Sequence, residues 1–349
     1  MSNRKFGLEI EYVRAGNRAV SDALNAAGIE CVVEGYNHQT RRHWKIVTDA
    51  SVAGGYELVS PPLKFGDESF AQVTAACTAA ESVGANVNKS CGIHVHHDAS
   101  DFTPSMAVSL VKSYYRNRRW IDTFMPQSRR AAACRWAQTP RYSEEALDRC
   151  TDMRSVYRAA GNTRYVAVNV ASYFTHGTIE FRQHSGSVEA AKILHWIRLT
   201  NAMMEKAAAG EEIPACNSLE EFLSHLLTVS GAEASDIRRP KRGPKPGLGG
   251  VAGLAYTMIA AGRSDQDIID AITARFPDSQ TTVKGIRTYR SRARAMDRYN
   301  EAMRAARHAS GTAPLLPTET RDYYLTRANS FGAAHRAMNP APAARRRYA

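Results

Sequence analysis

Four short segments of this chain alternate apolar with polar residues at a period of two, and their polar positions carry acids, imidazoles or a guanidinium. They are GLEIEY with Glu9 and Glu11, YELVSPP with Glu57, GIHVHHD with His94 and His96, and TIEFRQH with Glu180 and Arg182. Residues two apart on a strand share a face. Glu9 and Glu11 therefore aim one way while Leu8, Ile10 and Tyr12 aim the other; His94 and His96 oppose Ile93, Val95 and His97; Glu180 and Arg182 are flanked by Ile179 and Phe181. Taken singly, each has an ordinary explanation. An E-x-E pair is a solvated strand face, H-x-H is a pair of strand histidines, E-x-R is a surface ion pair, and Glu57 is a strand glutamate in water. An H-x-H of the cupin type needs a glutamate soon after, where this chain has Asp98 and Asp101. Together they read differently, because the segments are apolar enough to be buried and clustered buried charge persists only if paired or metal-bound. Carboxylates with few imidazoles suit Mg²⁺ or Mn²⁺ better than zinc.

YVAVNVASY, with Arg164 just before it and Asn169 within it, reads as a further strand. Between the strands, ESFAQVTAACTAAESVGA, TPSMAVSLVKSYYRNRRWIDTFM and SVEAAKILHWIRLTNAMMEKAAAG repeat apolar residues at three- and four-residue spacing, the last closing on Gly210. This mixture predicts an α+β fold, a largely antiparallel sheet covered by helices.

The net charge of +12 divides the chain: residues 1–235 carry 25 Lys and Arg against 25 Asp and Glu, and residues 236–349 carry 21 against 9. The boundary falls on RRPKRGPKPGLGG, so residues 236–250 read as a basic Pro/Gly linker. Its GLGGVA lacks the preceding strand that a dinucleotide-binding turn requires. Residues 251–310 then predict a small all-helical unit of three helices, the second capped by Ser264, with a helix-turn-helix shape. Residues 311–349 read as a loosely ordered basic tail. The arginines across residues 238–310 are a candidate nucleic-acid contact, though a solubilising or partner-docking tail accounts for the same charge.

No apolar run is long enough to span a bilayer, the N-terminus has no secretory pattern, and the six cysteines are scattered, all of which predicts a cytoplasmic protein with reduced thiols. Oligomeric state is left open. Cys91, beside the histidine motif, reads as a packing residue. Arg118, Arg119, Arg129 and Arg130 are either a docking place for an anionic substrate or a solvated helix face.

The ordered set GLEIEY, D-x-S with G-x-E-L-V-S-P, CGIHVH, RYVAVNV and TIEFRQHSGS, spanning about residues 5–230, resembles the amidoligase family. Those are carboxylate–amine ligases with a glutamine-synthetase-like fold. The resemblance implies a funnel holding ATP and divalent cations, Mg²⁺ or Mn²⁺. Glu9, His94 and Glu180 would hold the ion bridging the β- and γ-phosphates, and Glu11 and Glu57 the ion nearer the acyl substrate. His96 would contact the nucleotide phosphates and Arg182 would steady the transferring phosphoryl group, with Arg164 and Asn169 as further phosphate or substrate contacts. Its substrates would be a small-molecule or peptide carboxylate and an amine, joined through an acyl phosphate. Glutamine synthetases place another metal-binding glutamate soon after the one matching Glu57, where this chain has Pro61, Pro62 and Lys64, so the number of metals is open. No Walker A sequence is present. Two other readings remain: a non-catalytic nucleic-acid-associated protein whose domain binds nucleotide or metal, and a metal-dependent amide or phosphoester hydrolase.

Overall fold

A computed structural model describes residues 2, 4–48, 52, 54–130, 134–227, 251, 254–255, 258–259, 263–277, 279–290 and 315–338, with side chains in the last segment through residue 328. The chain divides into one unit of residues 1–229 with 314–349 and a second of residues 230–313.

The first unit is α+β, built on eight strands: β1 (Lys5–Tyr12), β2 (Cys31–Val33), β3 (Trp44–Thr48), β4 (Tyr56–Val59), β5 (Leu63–Lys64), β6 (Gly92–Asp98), β7 (Val168–Asn169) and β8 (Thr178–Ser185). Their order is β2-β3-β4-β1-β6-β8-β7, with β5 pairing the start of β1, and every pair is antiparallel except β2 with β3. One face is apolar: Phe6, Leu8, Ile10, Tyr12, Ile46, Leu58, Ile93, Val95, Ile179 and Phe181 are all fully buried. Helices α1 (Asn17–Ala26), α2 (Asp67–Ser82), α3 (Pro104–Thr123) and α7 (Ala190–Ala208) supply the other half of this core. The alternation of apolar positions fixes the register, since a slip of one residue would turn the whole set to the opposite face.

Local chemistry sets the helix ends. Thr103 Oγ1 accepts from Met106 N at 3.3 Å, with Pro104 in the first turn of α3. Helix α7 runs out at Gly210, whose φ of 75° lies in the left-handed region that glycine adopts without strain. Shorter helices α4 (Glu144–Asp148), α5 (Met153–Ala159), α6 (Ser172–His176) and α8 (Leu219–His225) connect the larger elements. Among the described residues no helix is long and apolar enough to cross a membrane.

His97 sits on the apolar face, and its ring accounts for a pH dependence. The hydroxyl of Thr200 donates to the carbonyl of Trp196 at 2.9 Å, so His97 Nε2–H must donate to Thr200 Oγ1 at 2.7 Å. Burial lowers its pKa to about 3, helped by the charges of Arg4 and His96, and His184 beside Trp196 is likewise lowered to about 3 by burial. Both rings are neutral when folded but titrate near 6.5 when unfolded. Their contribution is complete above about pH 6.5 and is lost as the pH falls toward 3. Urea midpoints should therefore drop across that window, and His97→Gln should flatten the slope by about 1.4 kcal/mol per pH unit. An unchanged slope in the variant would assign the acid sensitivity elsewhere.

Two expectations for this unit need correction. YVAVNVASY does not form one long strand: it pairs with β8 only over Val168–Asn169, after which Asn169 Oδ1 accepts from Ala171 N at 2.9 Å and the chain turns into α6. The region after residue 311 is not uniformly loose either. Residues Thr318–Met338 form a helix (here α10, after the second unit's α9) within the first unit. Its Tyr324 is fully buried with its ring centroid 4.1 Å from that of Phe124, Tyr323 stacks on His195 at 4.1 Å, and Arg327 Nε donates to Phe124 O at 2.9 Å. Among the described residues Leu315, Leu316, Tyr323, Tyr324, Leu325 and Ala328 provide that cover, bunched too closely to mark a periodic stripe in the sequence.

In the second unit, α9 (Asp265–Arg275) is capped by a reciprocal box: Ser264 Oγ accepts from Asp267 N at 3.1 Å and Ser264 N donates to Asp267 Oδ2 at 3.2 Å. Residues 283–290 are helical, and Ala255, Ile268, Ile272 and Ile286 form a small core. The basic run at 238–250, the arginines at 291–310 and the end of the tail at 339–349 lie outside the described residues.

Candidate active site

The polar face of the sheet gathers the acids and imidazoles of four strands. Strand pairing sets Glu9 opposite His94 and Glu11 opposite Glu57 across β1, then His96 opposite Glu180 and Glu180 opposite Asn169. A bulge places His94 on β6 against two residues of β8, Arg182 and Gln183. The extra residue keeps Arg182 on the polar face while returning His184 to the apolar face opposite Ile93, which is what such a device does next to a site.

The side chains meet closely. His94 Nδ1 lies 2.9 Å from Glu9 Oε2 and 3.7 Å from Glu180 Oε1, and His94 Nε2 is 3.8 Å from Glu11 Oε1. His96 Nε2 is 3.3 Å from Glu9 Oε1 and 3.8 Å from Glu180 Oε1. Glu180 accepts from Asn169 Nδ2 at 2.7 Å and from Arg182 Nη1, and Glu11 Oε2 accepts from Gly92 N at 2.5 Å. Two trios follow, Glu9 with His94 and Glu180, and Glu11 with Glu57 and His94, each offering ligand atoms within 4.8 Å of one another. Each could hold a divalent cation, and His94 belongs to both.

Burial and charge are in tension here. Burial pushes the Glu9 carboxyl up, but the charge of His96 and hydrogen bonds from His94 and His96 hold it well below the usual range. Glu180 behaves alike, lowered by Arg182, His96 and His94 against its burial. Burial opposes charge on His96, yet Glu9 and Glu180 raise its pKa. Its Nδ1 is 3.1 Å from both Ser172 Oγ and Thr178 Oγ1, which fix the ring, while its buried Nε2 faces Glu9 Oε1 at 3.3 Å.

Two cavities flank the cluster. One of about 290 Å³ is lined by Glu9, Glu57, His96, Lys45, His176, Thr178 and the loop 37–41, among others. The other, about 310 Å³, lies past Gly92 and is lined by Lys89, Cys91, Ser128, Arg129 and Ser185 among others. Periodicity did not reveal Lys45, Ser172 or Thr178. Lys45 Nζ, buried, donates to Asn37 Oδ1, Gln39 O and Asn37 O at 2.8, 2.8 and 3.2 Å and so pins the loop over the first cavity. The WKIVT alternation was the signal that could have placed it.

Arg118, Arg119, Arg129 and Arg130 do not form one docking surface. Arg118 bonds Ala137 O, Arg119 bonds Cys216 O, Arg130 bonds Met125 O, and of the four Arg129 adjoins the site. Buried Arg129 donates to Cys91 O and to Ser90 O at 3.1 Å. Among the described residues it makes no ion pair. Nor is Arg164 brought into the cluster: it is exposed and lies over the ring of Tyr165 at 5.3 Å. Asp49 and Ser51 fall outside the described residues.

Gly92 is glycine for space. A Cβ there would lie 3.2 Å from both Arg129 Nη1 and His94 Nε2. Gly92→Ala should therefore displace one of those groups, lowering activity about tenfold or more, since small misplacements near reacting atoms are costly. The fold should remain intact by circular dichroism; wild-type activity would show the space to be unimportant.

The mostly antiparallel sheet thus gathers acids, imidazoles and a guanidinium on one polar face, with Glu11, His94 and Glu180 buried, unlike an exposed surface ion-pair network. The sequence matches the family described as "putative amidoligase enzyme" over residues 2–204, more than half the chain, and the chain belongs to that family of ligase-type enzymes. No curated protein matches the chain.

Proposed function

We propose that the protein is an ATP-dependent carboxylate–amine ligase of glutamine-synthetase-like fold, working through an acyl phosphate. The observation that carries this reading is the pair of carboxylate–imidazole trios sharing His94 on one buried sheet face. An oxygen-rich donor set with one shared imidazole fits Mg²⁺ or Mn²⁺. Glu9, His94 and Glu180 would hold the ion against the nucleotide phosphates, and Glu11 and Glu57 the ion nearer the acyl group. Such ions supply charge neutralisation to the transferring phosphoryl group.

The chain's own groups do the rest. A carboxylate oxygen of the acyl substrate attacks the γ-phosphorus as ADP leaves; the amine nitrogen then attacks the acyl carbon, phosphate leaves, and the nitrogen gives up a proton. Arg182, held against Glu180, presents a fixed positive charge to the phosphoryl oxygens. His96, oriented by Ser172 and Thr178, offers Nε2 to a phosphate oxygen. Asn169 orients the Glu180 carboxylate, and Arg129 faces the second cavity with its charge available to an anionic substrate. Arg164 has no part in this scheme.

Purified protein with ATP, Mg²⁺, hydroxylamine and a panel of carboxylates tests it. The expected result is ATP-dependent hydroxamate with stoichiometric ADP for at least one carboxylate. Amide hydrolysis without ATP, or no ADP release across the panel with hydroxylamine and amino acids as amines, would overturn it.

A further inference from the structure

A third group of ligand-type side chains lies outside the sheet face. Cys216, Glu221 and His225 offer Sγ, a carboxylate oxygen and a ring nitrogen within 4.8 Å of one another. Glu221 and His225 are one turn apart on α8, and positions i and i+4 share a helix face. Cys216 precedes that helix.

The cysteine is held at both ends of its backbone. Its N–H donates to Asn117 Oδ1 at 3.0 Å, and its carbonyl accepts from Trp120 Nε1 at 2.9 Å and from Arg119. These contacts fix where its buried sulfur points. Glu221 Oε2 accepts from Asn217 N at 2.7 Å, orienting the carboxylate and leaving Oε1 for another partner. Among the described residues His225 makes no hydrogen bond. A thiol that donates to Pro214 O at 3.4 Å, an imidazole and a carboxylate, two of them already oriented, thus converge.

From this geometry we infer a second metal site, for Zn²⁺ or an ion of similar softness, formed by Cys216, Glu221 and His225 with a fourth position open to water. The donor set decides the ion, because sulfur and imidazole favour zinc while the oxygen-rich sheet face does not. Binding exchanges the thiol proton for the metal: the S–H bond breaks, the proton goes to solvent and the sulfur pair forms the metal bond. Thiolate and carboxylate together cancel the charge of a divalent ion, so nearby Arg119, whose guanidinium is engaged with Cys216 O and the Trp120 ring, opposes no net charge. The ion would tie α8 to the end of α3, a role independent of the ligase chemistry.

Titrating chelator-stripped, full-length protein with Co²⁺ tests this, because a thiolate ligand gives a near-ultraviolet charge-transfer band that carboxylate and imidazole ligands do not. One equivalent of Co²⁺ should develop the band and stoichiometric Zn²⁺ should abolish it. Cys216→Ser should remove it, His225→Ala should weaken Co²⁺ binding by about tenfold or more, and Cys91→Ser and Glu180→Gln should leave it unchanged. Absence of the band from wild-type protein, its survival in Cys216→Ser, or unaltered affinity in His225→Ala would overturn the assignment. His225→Ala keeps the buried cysteine, so the test stands even if Cys216→Ser fails to fold.

Discussion

Glu180→Gln is expected to lower amide-forming turnover by about a hundred- to a thousandfold, the usual cost of losing one preorganised charged group from a water-poor site. Four partners converge on this carboxylate: Asn169, Arg182, His94 and His96. The amide keeps the shape and one acceptor oxygen but removes the anion. Arg182 loses its counter-charge at the same moment, so metal dependence should weaken along with turnover. Arg164→Ala supplies the contrast, because that exposed side chain lies over Tyr165 and should stay within about twofold of wild type, as is usual for surface substitutions away from special features. Equal losses in the two variants would mean that the cluster has been misjudged.

Phe181→Ala should produce the largest loss of stability, about 3–5 kcal/mol. The residue lies between Glu180 and Arg182 in sequence but points the opposite way, fully buried, with ring centroids of His97, Tyr114 and Trp196 at 5.7, 5.8 and 6.5 Å. Truncation leaves a cavity where the sheet meets α3 and α7, and a close-packed interior fills such a space poorly. Urea denaturation should show a lower midpoint with an unchanged slope. A midpoint within the error of wild type would contradict the packing described for this face.

These two neighbours also show how much a strand's alternation discloses. That Glu180 and Phe181 face opposite ways follows from period two alone, as does the sharing of a face by Glu9 with Glu11 and by His94 with His96. Which strands are adjacent does not follow from it. Glu9 meets His94, and His96 meets Glu180, because β1, β6 and β8 are consecutive in the sheet, a consequence of long-range pairing over more than eighty residues in each case. Local pattern also misses irregularity. The bulge at His94 lets Arg182 and His184 face opposite ways although regular alternation would put them together.

For other residues the sequence marks a candidate without its place. Arg129 sits in a single 3-10 turn, Gln127–Arg129, with no periodic pattern to mark a face, and its place behind Gly92 depends on how that turn packs. The same holds for Arg164, which looked equivalent to Asn169 in RYVAVNV, although the strand begins only at Val168. Helix α10 escaped notice because, among its described residues, the apolar contacts with the core bunch at Tyr323, Tyr324, Leu325 and Ala328 rather than repeating as a long stripe. Lone polar or aromatic residues take their meaning from neighbours distant in sequence, and composition carries little of that.

Crystals of the protein soaked with Mn²⁺ and a non-hydrolysable ATP analogue, measured at the manganese absorption edge, test the central claim most directly. Anomalous peaks should lie about 2.2 Å from carboxylate oxygens on the polar sheet face, one bounded by Glu9, His94 and Glu180 and another beside Glu11 and Glu57. A face free of anomalous density while manganese binds elsewhere on the molecule would contradict the account.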